Sequence, residues 1–242
     1  MNTEHTMNTA DQTRIWNYFQ GEGSVNFDFE GAATRLSYLL RKAKRLTGGR
    51  AISVLNIGVG NGFLECECAA QGWDVNGVDP SQVAVDGLQR KGISAIVGTI
   101  EDLPYPDERF DVVFCSEVFE HLTPDQFAIG LAQIRRVLKS GGMLIGTVPF
   151  EEDMSKYRTV CPSCGLVFHR WCHHQSFTID RMRSVLNGMN FSVLYARQRV
   201  FTHLRRGSLR DRAIELARWI AGKFIPRRMS SNLCFVARKS ST

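Results

Sequence analysis

The chain has 242 residues, 43% hydrophobic and 22% charged, with a net charge of +6. That is enough for one large α/β domain of ordinary globular composition. It contains no continuous apolar run of membrane-spanning length. The polar first twenty residues do not read as a signal peptide, and seven cysteines do not read as a secreted disulfide framework. The expected location is the cytoplasm.

The charge is uneven. From Arg197 onward there are twelve Lys or Arg against Asp211 and Glu215, while the preceding residues are close to neutral. Such a region can be a solvated basic face or can meet phosphate, nucleic acid or an anionic membrane.

In chain order, residues 1–30 are expected to form an N-terminal extension or cap, with a short aromatic helix around Ile15, Trp16, Tyr18 and Phe19. Residues 31–46 carry Leu36, Leu39, Leu40 and Ala43 on one helical stripe and end at Gly48-Gly49. Alternation then begins. "AISVLNIG" reads as a strand, "FLECECAAQG" as a helix, "WDVNGVD" as a strand and "SQVAVDGLQRKG" as a helix. "ISAIVG" and "FDVVFCS" read as strands, 124–138 as a helix and "GGMLIGTVPF" as a strand. Helix 178–188 and strands 190–200 and 232–239 complete the order. This pattern predicts an α/β fold: a Rossmann-like, seven-stranded, mostly parallel sheet with helices on both faces. A single domain is expected over 31–242, with insertions at 151–177 and 205–228.

The first strand runs into "VLNIGVGNG", where Gly58, Gly60 and Gly62 precede a helix. Glycines there let the backbone turn and approach a ligand closely. About twenty residues later, "VDPS" puts Asp79 and Pro80 at the tip of the second strand, the spacing at which an acid reaches a ribose diol. Together these point to an adenosine-type cofactor.

"VLNIGVGNG", "VDPS", "EDLPYPDERFDVVFCSEVFEHL" and "RRVLKSGGMLIGTVP" resemble, in order and spacing, the class I S-adenosylmethionine-dependent methyltransferases. The resemblance covers about residues 30–150, and the last strand, "SNLCFVARK", also fits. It implies that Gly58, Gly60 and Gly62 line the methionine part of the cofactor and that Asp79 holds both ribose hydroxyls. Ile100 and Glu101 would flank the adenine, and Ser116 would touch the methionyl end. Asn56 and Val59 stand where that family usually has an acid and a cysteine; Asn56 is retained as a cofactor-side candidate.

"SEVFEHL" is similar to the E-x-x-E-H stretch of the ubiquinone-biosynthesis O-methyltransferases, which implies a divalent ion, Mg²⁺ or another, near the acceptor on Glu117, Glu120 and His121. Two carboxylates and an imidazole suit such an ion, and an ion would lower the pKa of a bound hydroxyl. Without metal, His121 is the candidate general base, its ordinary pKa lying near neutrality. Alternatively, Glu120 and His121 only orient the loop. "ATRLSYLL" resembles the same group's N-terminal arginine motif, making Arg35 a candidate for the cofactor carboxylate.

The stretch "CPSCGLVFHRWCHH" stands apart. Cys161, Cys164, His169 and His173 give C-x2-C-x4-H-x3-H, a spacing suited to a structural tetrahedral Zn²⁺, with Cys172 or His174 as substitutes for one ligand. A redox C-x-x-C is the rival. A zinc knuckle would order the long insertion after strand five and shape the acceptor pocket. The stretch resembles flaps of bacterial methyltransferases linked to polysaccharide biosynthesis, which implies a glycan acceptor. Residues 209–225 read as a basic amphipathic helix, able to pack on the domain or to meet a membrane carrying a lipid-linked acceptor.

The resulting expectation is an O-methyltransferase acting on a small-molecule or glycan hydroxyl, with nucleic acid not the expected partner. The alternatives are N-methylation of a small molecule or RNA, and a non-catalytic cofactor-binding module.

Overall fold

The computed structural model describes residues 14, 32–201 and 231–240. The expected N-terminal cap and the basic amphipathic helix at 209–225 lie outside the described residues.

Helix α1 (Ala33–Leu46) buries Leu39, Leu40 and Ala43, the stripe its 3.6-residue spacing dictates. Strand β1 (Ser53–Ile57) is buried at four of its five positions, as a central parallel strand covered on both faces must be. Helix α2 (Phe63–Ala69), strand β2 (Asp74–Asp79), helix α3 (Gln82–Gln89) and strands β3 (Ser94–Val97) and β4 (Phe110–Ser116) follow. A short 3₁₀ turn, Phe119–His121, precedes helix α4 (Pro124–Val137). Helix α4 starts on a full capping box: Thr123 accepts from the Gln126 N–H, and the Gln126 side chain accepts from the Thr123 N–H. Pro124 at the first helical position fits there, since no intrahelical N–H bond is lost.

Strand β5 (Leu138–Pro149), a hairpin of β6 (Arg158–Val160) and β7 (Val167–His169), helix α5 (Ile179–Gly188) and strands β8 (Phe191–Arg199) and β9 (Asn232–Lys239) complete the chain. The main sheet has seven strands in the order β3-β2-β1-β4-β5-β9-β8. The β1, β2, β3, β4 and β5 pairings are parallel and those of β9 are antiparallel. This is the expected architecture.

One face is sealed by Phe127, Leu131, Met182 and Leu186 of α4 and α5, and the other by Leu39, Leu64 and Leu88 of α1, α2 and α3. The register then positions the site. Ile57 pairs with Val78 on one side and Cys115 on the other. The next residues of three strands, Gly58, Asp79 and Ser116, therefore leave the sheet together at its carboxyl edge. The strand order reverses between β1 and β4, the place where open α/β sheets bind ligands.

Candidate active site

At the end of β1, Gly58 adopts φ 83° and its N–H donates to the Val78 carbonyl at 2.9 Å. A Cβ on Gly58 would come 2.8 Å from Val118, and one on Gly62 (φ 77°) would come 2.7 Å from Leu88. Both positions thus combine left-handed backbone with no room for a side chain. Asp79 is 2% exposed. Its Oδ2 accepts the Val59 N–H and its Oδ1 the Ser81 N–H, each at 2.8 Å. The carboxylate is thereby locked against the glycine loop. Pro80 follows it at the strand tip.

Asn56, which stands in place of the family's acid, does not leave the loop without one. Its Nδ2 donates to Glu65 Oε1 at 2.7 Å and to the Gly58 carbonyl at 3.1 Å. Glu65 comes from α2, is fully buried, and is pushed by that burial up to about 7. Sequence reading missed Glu65 because an acid in "FLECECAA" reads as a solvated helix position. The vacancy of an acid at Asn56 was the available signal.

Arg35 reaches across from α1: its Nε donates to Ser116 Oγ at 3.2 Å, and Ser116 Oγ lies 2.8 Å from Thr147 Oγ1. The two candidates for the methionyl end therefore meet, although they lie 81 positions apart. The adenine side differs from expectation. The Ile100 side chain is 4% exposed and is turned into the core, where a Cβ on Gly130 of α4 would meet it at 2.9 Å. Glu101 Oε1 accepts from Gln126 Nε2 at 2.6 Å. Ile100 packs the core instead of flanking a base, because the helix glycine opens a slot for it.

After β4 the expected E-x-x-E-H trio is split. Glu117 adopts φ 57° and its Oε2 accepts from Asn232 Nδ2 at 2.9 Å. Glu120 and His121 instead group with His173, their donor atoms within 4.8 Å of one another. Burial, with Glu117 nearby, holds the Glu120 carboxyl well above the usual range. Burial pulls His121 down to about 3, with His173 the next cause. The near-neutral base expected at His121 is thus corrected: its imidazole stays neutral across the physiological range.

The insertion 151–177 lies against this turn. The His174 N–H donates to the Glu120 carbonyl at 2.7 Å, and Gln175 Nε2 to the Leu122 carbonyl at 2.8 Å. The expected four-ligand zinc set is not assembled. Cys161 N–H donates to the Leu166 carbonyl at the turn of the β6–β7 hairpin, while His169 pairs with Arg158 at its base. Three residues of extended strand place the turn and the base about 10 Å apart. Cys161 and Cys164 therefore sit at the tip, and His169 and His173 gather at the base with Glu152. At the tip, the backbone N–H groups of Cys164 and Ser163 hold the Cys161 thiol below its ordinary range. Cys172 is buried and pushed up to about 11, which makes it a poor substitute ligand.

Residues 55–146 match the family model described as "Methyltransferase domain". Over those residues the chain resembles the class I S-adenosylmethionine-dependent methyltransferases. The chain is 32% identical over 157 residues to a ubiquinone biosynthesis O-methyltransferase of Actinobacillus pleuropneumoniae serotype 5b, covering 57% of this chain and 64% of that protein. It is 35% identical over 126 residues to the Pasteurella multocida protein of the same name, covering 46% and 50%. The chain thus spans between half and two thirds of the length of these relatives.

Among solved structures, the chain is similar in fold to the Burkholderia thailandensis 1,6-didemethyltoxoflavin-N1-methyltransferase with bound 1,6-didemethyltoxoflavin and S-adenosylhomocysteine. The TM-score is 0.68 at 19% identity, over 96% of this chain and 88% of that one. The [4+2]-cyclase SpnF has the same fold, with a TM-score of 0.59 at 19% identity over 87% and 82% of the chains. Fold alone therefore does not specify the reaction, which has to be argued from the site.

Proposed function

We propose that the chain transfers the methyl group of S-adenosylmethionine to a hydroxyl oxygen of a small-molecule or glycan acceptor. The observation that carries this reading is the register-aligned group of Gly58, Asp79 and Ser116, closed by Arg35, at the carboxyl edge of the sheet. In this reading Gly58, Gly60 and Gly62 let the methionine part approach the backbone, and Asp79 accepts both ribose hydroxyls. Arg35 and Ser116 hold the methionyl carboxylate. The acceptor hydroxyl enters between this edge and the flap limb stitched to Glu120.

Transfer is an in-line displacement: the acceptor oxygen forms a bond to the methyl carbon, and the sulfonium leaves as a neutral thioether. Most of the acceleration is alignment of oxygen, carbon and sulfur. The acceptor proton needs a base, and Glu120 supports that role. It is buried, its carboxyl has a raised proton affinity, and its Oε2 has no hydrogen-bond partner among the described residues. Glu117 raises that affinity from beside it. The donor set Glu120, His121 and His173 also fits a divalent ion, since both the orphaned carboxylate oxygen and the neutral imidazole accept a cation. Bound there, an ion would lower the pKa of the acceptor hydroxyl. The hydroxyl acceptor is supported by the relatives named as ubiquinone biosynthesis O-methyltransferases.

The test is transfer of labelled methyl from S-adenosylmethionine to a panel of catechol-type quinol precursors, free sugars, lipid-linked sugars and amines. Product on oxygen is the expected result. Label only on nitrogen acceptors overturns the O-methyl reading, and failure to bind S-adenosylhomocysteine overturns the whole of it.

A further inference from the structure

The insertion holds a second group of donor atoms, which shares only His173 with the set beside Glu120. Glu152 lies just past β5, His169 ends β7 and His173 lies on the returning limb; one donor from each lies within 4.8 Å of the others. Their side chains are 12%, 4% and 9% exposed. A carboxylate buried with two imidazoles is expensive unless hydrogen bonds or a cation satisfy it.

One of the contacts is a hydrogen bond, between Glu152 Oε2 and His173 Nδ1. The other is not. His169 Nε2 stands 3.8 Å from Glu152 Oε1, beyond hydrogen-bond reach, and has no hydrogen-bond partner among the described residues. An ion with bonds of about 2.1 Å in tetrahedral geometry holds its donors roughly 3.4 Å apart. A separation of 3.8 Å is thus too long for a shared proton and close to the span of a shared ion.

We propose that Glu152, His169 and His173 bind one divalent transition-metal ion of the Zn²⁺ type, in place of the four-ligand Cys/His site. Two imidazoles to one carboxylate favour a borderline ion over Mg²⁺ or Ca²⁺, which take oxygen ligands. Three protein donors leave a fourth position for water. Binding also changes a tautomer. His169 Nδ1 accepts the His173 N–H at 3.2 Å, so the ring proton sits on Nε2. Coordination through Nε2 moves that proton to Nδ1 and gives up this one long contact. The ion would cross-link the two limbs of the insertion at the base of its hairpin. Cys161 and Cys164 take no part, which leaves the hairpin tip dispensable for the metal.

The experiment uses the full chain, Zn²⁺ alone, and neither cofactor nor acceptor, so its outcome is separate from that of the methyl-transfer reading. Zinc is measured by metal analysis after equilibration at micromolar free Zn²⁺, and affinity by competition with a chelating dye. Circular dichroism on every variant confirms folding. One equivalent is expected for the wild-type chain. Glu152→Gln, nearly isosteric, and His169→Ala should each weaken binding beyond the roughly 10–100-fold that outer-shell partners carry. The double variant Cys161→Ser/Cys164→Ser should keep its zinc, and Co²⁺ in the wild-type chain should show no thiolate-to-metal charge-transfer band. Three results would overturn the proposal: no zinc in the wild-type chain, loss of zinc on changing the two cysteines, or zinc kept by Glu152→Gln and His169→Ala.

Discussion

The sheet edge and the insertion are held in place by different means. At the edge, Gly58 and Asp79 are fixed by main-chain hydrogen bonds, to the Val78 carbonyl and from the Val59 and Ser81 N–H groups, over a core of apolar side chains on both faces. The insertion carries only Cys172 and Phe177 among its buried apolar residues; its interior is the group Glu152, His169 and His173, in which the two imidazole rings stack at 4.6 Å. The lesson is that a nucleotide pocket can be built by register, whereas a lid without a core of its own depends on one apolar anchor and on polar chemistry.

The comparison breaks most sharply at that anchor. Phe177 is fully buried, edge-on to Phe127 at 5.4 Å, with the Arg181 guanidinium over its ring. Phe177→Ala should cost about 3–5 kcal/mol. Hydrogen exchange should rise at the His174 and Gln175 amides while the β1 amides stay protected. Equal loosening of β1 would mean that the two regions are one unit.

On the other side of the comparison, Asp79→Ala would, in the proposed reading, remove two charge-assisted hydrogen bonds to the ribose. It should cost about 2–4 kcal/mol in affinity for S-adenosylhomocysteine, read by calorimetry, with the insertion's exchange unchanged. Unaltered affinity would refute the ribose role.

Glu65 sharpens the contrast inside the sheet edge itself. Its carboxyl, ordinarily near 4.5, is raised to about 7 in the fold. The folded chain then holds the proton more tightly than the unfolded one. The contribution of this group to stability is therefore fully present below about pH 4.5 and falls away as pH rises through 7, by up to about 3 kcal/mol. Glu65→Gln should remove that fall and leave the variant the more stable chain at pH 8, as measured by urea unfolding at pH 5 and 8. The smallest effect belongs to the hairpin tip. Changing Cys161 and Cys164 together to Ser should alter unfolding stability by less than about 0.5 kcal/mol, since neither thiol is buried. A larger loss would place structure-bearing chemistry at the tip after all.

Most of the sheet was legible in the sequence, because alternating apolar runs and glycine breaks are local signals. The loop from Gly58 to Asp79 was legible for the same reason: its meaning lies in one strand–helix–strand unit. What the sequence did not reveal depends on distance through space. Counting residues from Cys161 to His173 treats the chain as a compact turn, but the β6–β7 pairing stretches it and separates thiols from imidazoles. Glu152 joins the imidazoles only because the insertion folds back on its own start. The inward turn of Ile100 required knowing that Gly130 faces it, and the depressed pKa of His121 required knowing its burial. The meeting of Arg35 with Ser116 was suggested by resemblance and rests on α1 crossing the sheet edge.

The insertion also leaves and rejoins the sheet at neighbouring points. Phe150 bridges Phe177 in parallel, and the Glu151 N–H donates to the Phe177 carbonyl at 3.0 Å. A segment whose ends already touch asks nothing of the strands around it when its length changes, since closing a longer loop adds only about 0.6 kcal/mol per doubling. It behaves as an interchangeable cartridge. Another segment of different length and chemistry could be spliced between Phe150 and Phe177 to present a new wall to an acceptor, while the strands that cradle the cofactor keep their register.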